Sequence, residues 1–309
     1  MISILMASYN GEQYIAEQIE SLLNQTAQDF KLYICDDKST DKSFAIVQDY
    51  ASKYPEKIFI TQNESNTGSA KSNFISMMID HKDDYIMLCD QDDVWLPDKV
   101  EKSLSKIKEL ESKHEQTKPL LVHTNLYIVN ESLETIAESF FDMANAKCGK
   151  NKLNNIIIQN IMAGCTIIYN RALADLIIDD KPKYMVMHDW WLALIASAFG
   201  EIGTIYEPTL LYRQHDRNEF GVNRRSPGAH LLHKLFNFTE VKETINSTYR
   251  QAESFLSVYK ENMPQKSQEL IAAYASMPNK KKLKKLQILC KYRIWKNGFI
   301  RKVAQVLAA

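Results

Sequence analysis

Cysteine is scarce in this chain of 309 residues: five in all (Cys35, Cys89, Cys148, Cys165 and Cys290), with no C-x-x-C pair among them. An odd number at wide spacing argues against a disulfide framework or a thiolate zinc site. It suits reduced thiols, mostly core-packed, in a cytosolic protein. Long apolar runs are missing too, none nearing the ~18 residues that read as a membrane-spanning helix. The opening segment Met1–Met6 lacks a basic stretch and turns polar at Ser8-Tyr9-Asn10, so it does not read as a secretory signal. The nine glycines form no G-x-G-x-x-G and no G-x-x-x-x-G-K-[ST] pattern, which disfavours dinucleotide and P-loop binding.

One absence is local. Residues 270–309 contain no acid at all but carry ten bases: Lys280, Lys281, Lys282, Lys284, Lys285, Lys291, Arg293, Lys296, Arg301 and Lys302. The net charge of zero therefore conceals an acidic body, with 28 bases against 38 acids, and a basic tail. Such asymmetry points to a tail that meets phosphates or an anionic surface. At 45% hydrophobic and 25% charged, the chain is ordinary globular protein with ample material for a core.

What is present in the first half is a rhythm. Apolar runs at Ile2–Ala7, Lys31–Cys35, Lys57–Thr61 and Tyr85–Cys89 alternate with helix-period segments at Glu12–Leu23, from Thr40 to Tyr50, and up to Asp80. Strands this apolar cannot face water. The pattern predicts an α/β fold with a Rossmann-like, mostly parallel central sheet flanked by helices. A charged helix follows from Pro97-Asp98 to about Lys113, then strands at Leu120–Val129, Ile167–Tyr169 and Thr204–Arg213, with a buried helix at Asp189–Phe199. Beyond Gly228 the pattern is helical only. The expected division is an α/β domain over 1–225 and a helical C-terminal region over 226–309, ending in the basic tail.

Ligands of open parallel sheets bind beyond the carboxyl ends of the strands. Three strand ends here carry polar clusters: Ser8-Tyr9-Asn10, Asp36-Asp37 and Asp90-Gln91-Asp92-Asp93. Three carboxylates in four residues repel one another, and a hard divalent cation such as Mg²⁺ or Mn²⁺ would relieve that penalty. The alternative is a solvated acidic turn that caps the next helix. An EF-hand is excluded by the missing glycine and glutamate. Asp36 and Asp37 could serve only as caps, or could accept the imide N–H of a uracil or thymine ring on which Tyr9 stacks.

These residues resemble a known family. Ser3–Thr26, Cys35–Asp41, Asn66-Thr67-Gly68 and Asp90–Trp95 with Pro97-Asp98 are similar, in order, to the motifs of family 2 inverting glycosyltransferases of the GT-A fold. DQDDVW, together with His188-Asp189-Trp190-Trp191 and Tyr212-Arg213-Gln214-His215, most resembles bacterial rhamnosyltransferases of cell-wall or capsular polysaccharide synthesis, which use dTDP-L-rhamnose. The resemblance spans roughly residues 1–225. It implies that Ala7, Tyr9, Glu12 and Asp37, with Asp36 beside them, hold the nucleoside, and that Asn66, Gly68 and Lys71 cover the nucleotide sugar. Asp90 and Asp92 match the two acids of a DXD motif, Asp92 facing the metal and Asp90 the ribose. Asp189 matches the catalytic base, and His215 a late contact to metal or diphosphate. Gly164, Trp190 and Trp191 are acceptor-side candidates, although a bend and core packing explain them as well. The Q-x-x-R-W signature of processive synthases is absent, which favours transfer of one sugar.

Three alternatives stay open at this level: a UDP-hexose or UDP-N-acetylhexosamine transferase on the same scaffold, a catalytically silent nucleotide-sugar-binding or scaffold protein, and a nucleotidyltransferase. The last is disfavoured because no glycine-rich, arginine-bearing loop follows the first strand. The expected partners are a nucleotide-sugar donor and a saccharide acceptor, lipid-linked in many such pathways, with no nucleic acid. The tail reads as one cationic amphipathic helix with Leu283, Leu286, Leu289 and Trp295 on its apolar side. It would bring a cytoplasmic enzyme to the inner face of the cell membrane. Docking on its own acidic body or a homo-oligomer contact are the other uses of the same charge.

Overall fold

The apolar runs are strands, and each is buried for the reason the pattern gives. All seven residues of β1 (Ile2–Ser8) are buried between two parallel neighbours. The computed structural model describes residues 1–115, 117–143, 150–178, 182–215 and 238–308. The expected boundary near 225 and Cys148 lie outside them. The described chain divides into two compact units. The first comprises Met1–Phe140, Met162–Asp179 and Gly200–Gln214, and the second Phe141–Ile161, Asp180–Phe199 and His215–Ala309.

The first unit is built on one sheet. Its strands are β1, β2 (Phe30–Asp36), β3 (Ile58–Gln62), β4 (Tyr85–Asp90), β5 (Val94–Trp95), β6 (Leu120–Val129), β7 (Thr135–Ala137), β8 (Ile167–Asn170) and β9 (Glu201–Arg213). Their spatial order is β3-β2-β1-β4-β8-β6-β9-β5, with β7 hydrogen-bonded to β6. The four leading strands run parallel, as does the β6–β9 pair, while β8 and β5 run against their neighbours. The sheet is therefore mostly parallel, as the alternation of strands and helices requires. The helices α1 (Ile15–Leu23), α2 (Ser43–Lys53), α3 (Ala70–Asp80) and α4 (Lys99–Glu111) connect and cover it. Each turns a helix-period stripe inward: Ile15, Ile19 and Leu22 from α1, Phe74, Met77 and Met78 from α3, Val100, Ile107 and Leu110 from α4.

The second unit is helical. Helix His188–Phe199 buries eight of its twelve residues, and Trp191 packs edge-on against Phe255, ring centroids 5.0 Å apart. Phe255 in turn meets Tyr259 at 4.7 Å on the long helix Phe238–Tyr259. The basic segment is not one helix. Lys282–Tyr292 ends at Arg293, whose φ of 55° is left-handed, and a separate helix, Phe299–Ala308, follows Gly298 at φ 83°. Trp295 thus lies between helices rather than on a shared face with Leu283. No helix among the described residues is long and apolar enough to cross a membrane. Cys35, Cys89 and Cys165 are buried and Cys290 is exposed, all as free thiols.

Candidate functional site at the carboxyl ends of the parallel strands

Parallel register brings the three polar clusters to one end of the sheet. Ser8 pairs with Asp36, and Ala7 pairs with Cys35 on one side and Asp90 on the other. The loops beyond are cross-tied by one backbone bond and by several polar side chains that accept from backbone N–H groups. Asp37 N–H donates to the Ser8 carbonyl at 2.7 Å. Asn10, at φ 47°, accepts from Thr40 N–H at 2.8 Å and donates its own N–H to Ser39 at 2.9 Å. Glu12 and Asp41 cap one another's loops: Lys42 N–H donates to the Glu12 carboxylate at 2.9 Å and Glu12 N–H to Asp41 at 3.1 Å.

Asp36 and Asp37 are both buried, and both carboxylates are occupied by local donors. Asp36 accepts from Ser39 N–H, Ser39 Oγ and Gln62 Nε2. Asp37 accepts from Asn63 Nδ2 at 2.7 Å, Thr67 N–H at 2.9 Å and Thr67 Oγ1 at 2.8 Å. These bonds anchor the Asn66–Gly68 loop over the end of β2, with Asn66 Nδ2 on the Asp37 carbonyl at 2.9 Å. Gly68 sits at φ 84°, a conformation in which a side chain is strained. Tyr9 stays 46% exposed at the next strand end, free to offer its ring face.

The acidic stretch after β4 is held from two sides. Gln91 accepts from Tyr9 N–H and donates to the Tyr9 carbonyl, both at 2.9 Å. It packs so closely that a Cβ on Gly11 would come within 2.2 Å of Gln91 Oε1. From the other side comes Arg213, the last residue of β9 and only 3% exposed. Its Nε donates to the Asp92 carbonyl at 2.9 Å, its N–H to Asp93 Oδ1 at 3.3 Å and its Nη1 to the Glu131 carbonyl at 2.5 Å. Its Nη2 pairs with Glu17, and the guanidinium lies 4.7 Å over the Tyr14 ring.

Asp90 and Asp92 are half-buried, but Asp93 is fully buried, with Oδ2 lacking a hydrogen-bond partner. Burial, then the charges of Asp92 and Asp90, push the Asp93 carboxyl well above the usual range. One potential ligand atom each from Asp90, Asp93 and Cys165 lie within 4.8 Å of one another. The Cys165 thiol, itself raised by burial and by Asp93 and Asp90, stays protonated and is a poor ligand for a hard ion. Oxygen donors whose mutual repulsion registers on a neighbour fit Mg²⁺ or Mn²⁺, with Asp90 and Asp92 as the acids not sunk in the core. Behind them Lys99 is fully buried, 4.6 Å over the Trp95 ring, and burial lowers its ammonium to about 8.

Sequence reasoning named Tyr9, Glu12, Asp37, Asn66, Gly68 and Asp92, which lie on the loops just described, and Asp36 and Asp90, which end β2 and β4. Ala7 lies in β1, and Lys71 is the second residue of α3. Gly164 opens the 3₁₀ turn Gly164–Thr166 that carries Cys165. Asp189, Trp190, Trp191 and His215 belong to the second unit. There Asp189 stands in the first turn of its helix and accepts from Trp190 N–H at 2.5 Å. Trp190 donates its indole N–H to the Ile156 carbonyl at 2.6 Å, and Trp191, 5% exposed, serves the aromatic core. The ties that Gln91 and Arg213 make, and the burial of Asp93 and Lys99, were missed. A buried-lysine or buried-arginine partner has no signal in local spacing.

Comparison with known proteins sets this geometry in a wider context. Residues 3–154 match the model of glycosyl transferase family 2. Over 228 residues the chain is 28% identical to the dTDP-rhamnosyl transferase RfbG of Shigella flexneri, covering 71% of this chain and 74% of that one. Among solved structures, residues 1–349 of S. aureus TarS with UDP-GlcNAc align at a TM-score of 0.54 and 18% identity, over 94% of this chain and 80% of that one. The mannosyltransferase PcManGT of Pyrobaculum calidifontis, with GDP-Man and Mn²⁺, aligns at 0.52 and 14%, over 94% and 84%. At these identities the two structures speak for a shared fold.

Proposed function

Residues 3–154 carry a family 2 glycosyltransferase domain, and from that premise we propose that the chain transfers L-rhamnose from dTDP-L-rhamnose to a saccharide acceptor, with inversion at the anomeric carbon. The observation that carries the reading is the meeting of three polar strand ends, Tyr9, Asp36-Asp37 and Asp90–Asp92, across parallel β1, β2 and β4. The choice of rhamnose draws on the similarity to the Shigella enzyme, which spans both units of the chain.

In this reading the pyrimidine stacks on Tyr9 and meets Asp37, with Ala7, Glu12 and Asp36 forming the rest of its seat. Asn66, Gly68 and Lys71 close over the sugar diphosphate. Asp92 and Asp90, with His215 as a late contact, would hold Mg²⁺ or Mn²⁺, whose charge stabilises the departing nucleoside diphosphate. Asp189 removes the proton of the acceptor hydroxyl as that oxygen attacks the anomeric carbon from the face opposite the leaving group. One displacement needs one base, unlike the paired carboxylates of a glycosidase. Gly164, Trp190 and Trp191 stand as the acceptor-side residues, with Trp191 acting through its packing. The acceptor in this reading is a growing saccharide, lipid-linked in many such pathways, and the catalytic domain runs over residues 1–225 with a helical region over 226–309.

A donor hydrolysis screen with dTDP-rhamnose, UDP-glucose, UDP-N-acetylglucosamine and GDP-mannose, with and without Mn²⁺, tests this. Preference for dTDP-rhamnose that depends on metal is expected. Preference for a UDP-sugar would replace the donor, and binding without turnover of any donor, with acceptor supplied, would favour a silent binding protein.

A further inference from the structure

The last helix of the chain is inside out. Phe299–Ala308 buries its glutamine: Gln305 is 2% exposed, accepts from Lys296 N–H at 2.9 Å and donates to the Ile294 carbonyl at 3.0 Å. Its outer face carries Phe299, Val303 and Leu307, which are 81%, 39% and 58% exposed. Spaced four residues apart, they stack along one stripe of the helix. A helix that merely covered a core would turn that stripe inward and leave the glutamine in water. Lys302 lies beside the stripe and is exposed. The preceding helix, Lys282–Tyr292, repeats the combination, with Leu283 71% exposed between exposed Lys282 and Lys284.

We propose that the Phe299–Val303–Leu307 stripe and the lysines around it form a docking face for an anionic lipid bilayer. Phe299 and Leu307 enter the boundary between headgroups and acyl chains, and Lys282, Lys284 and Lys302 meet lipid phosphates. Charge selects this occupant. Residues 270–309 carry ten bases and no acid, so every charge on the segment that presents these apolar side chains is positive. Protein interfaces deplete lysine around their apolar centres. Helices that lie in a bilayer interface instead pair Phe and Leu with flanking lysines. The ten residues of this helix are half the roughly 20 needed to span a bilayer, and suit a helix lying in its surface. The contact does not depend on the donor sugar. Vesicle binding and donor hydrolysis in solution are separate measurements, so either reading can fail alone.

The test sediments the full chain with vesicles of phosphatidylcholine alone and with about one-third phosphatidylglycerol, at low and high salt. Binding to the anionic vesicles only, released by salt, is expected. Phe299→Ser with Leu307→Ser should lower the bound fraction roughly tenfold, and so should Lys282→Gln, Lys284→Gln and Lys302→Gln together. Should the paired serine variant lose helix content by circular dichroism, Phe299→Ala alone carries the test, because that side chain is too exposed to support packing. Equal binding to neutral vesicles, or undiminished binding by the variants, overturns the proposal. So does a wild-type dimer that the serine pair converts to monomer without any lipid binding, which would make the stripe a subunit contact.

Discussion

Gln91 satisfies both backbone groups of Tyr9, accepting from its N–H and donating to its carbonyl at 2.9 Å each. A side chain thereby acts as one more rung of the sheet, joining the loop after β1 to the loop after β4. Each loop carries part of the proposed donor seat, so the clamp sets how far apart the proposed base and metal positions lie.

Replacing Gln91 with alanine removes both bonds and leaves the Tyr9 amide to water. A stability loss of about 1–2 kcal/mol is expected in urea unfolding, with weaker donor nucleotide binding by calorimetry. Gln91→Glu keeps the acceptor and loses the donor, so it should fall between the two. Wild-type affinity in Gln91→Ala would mean the loops are held by other ties.

Arg213 fastens the acidic loop by bonding to the Asp92 carbonyl and the Asp93 carboxyl from the end of β9. Truncation to alanine removes the guanidinium's bonds to the Asp92 and Glu131 carbonyls and its pairing with Glu17, and a loss of roughly 1–3 kcal/mol is expected. Lysine cannot reproduce the fork. Arg213→Lys should therefore recover little stability, and its metal-dependent turnover should demand more Mn²⁺. A metal titration of the variant checks this: an unchanged half-saturation point would confine Arg213 to stability.

Asp92 and Asp189 should fail in different ways. Asp92→Asn weakens metal-dependent donor binding, raising the donor KM and abolishing Mn²⁺ stimulation. Asp189→Asn leaves donor affinity near wild type but lowers kcat about 10²–10⁴-fold, the usual worth of a general base. Steady-state kinetics with donor and acceptor varied separately distinguish the two. A shared pattern would refute the division of roles.

Alkaline pH should destabilise the second unit, as it should the first, where burial raises the Tyr169 phenol as well. Burial raises Tyr249 and Tyr259 from 10.0 to about 12. A phenol with a raised folded-state pKa contributes stability that is whole below pH 10 and is lost as pH climbs from 10 towards 12. Each contributes about 2–3 kcal/mol by that shift. Helix loss and tyrosinate absorbance should therefore rise together over this window. Tyrosinate appearing at pH 10 with the helices intact would show that the rings are more accessible than their packing suggests.

The long strands were legible because each is an apolar run that ends in a polar cluster, as Tyr85–Cys89 does before Asp90. β5 and β7, two and three residues long, were not, since neither is long enough to show a period. Nor could spacing reveal that β8 enters the sheet between β4 and β6, a pairing made between distant segments. The acidic site residues stood out as charges at strand ends. Their supports did not: Arg213 reaches Asp92 across 121 positions and Gln91 reaches Tyr9 across 82. The tail's break fell on Arg293, a non-glycine residue in left-handed conformation, where composition predicts a continuous helix.

The parallel strands that gather these acids at one end leave their other ends to a different trade. There the Met1 ammonium pairs with Asp84 at 2.6 Å, Lys82 donates to the Ala174 carbonyl at 2.5 Å, and Arg171 N–H bonds to the Asp84 carbonyl at 2.9 Å. None of these contacts shares a residue with the loops of the donor seat. An engineer can thus treat the sheet as having a working edge and a handling edge. Fluorophores, surface tethers or stabilising substitutions belong around Lys82–Asp84, where they alter robustness without retuning which sugar is used.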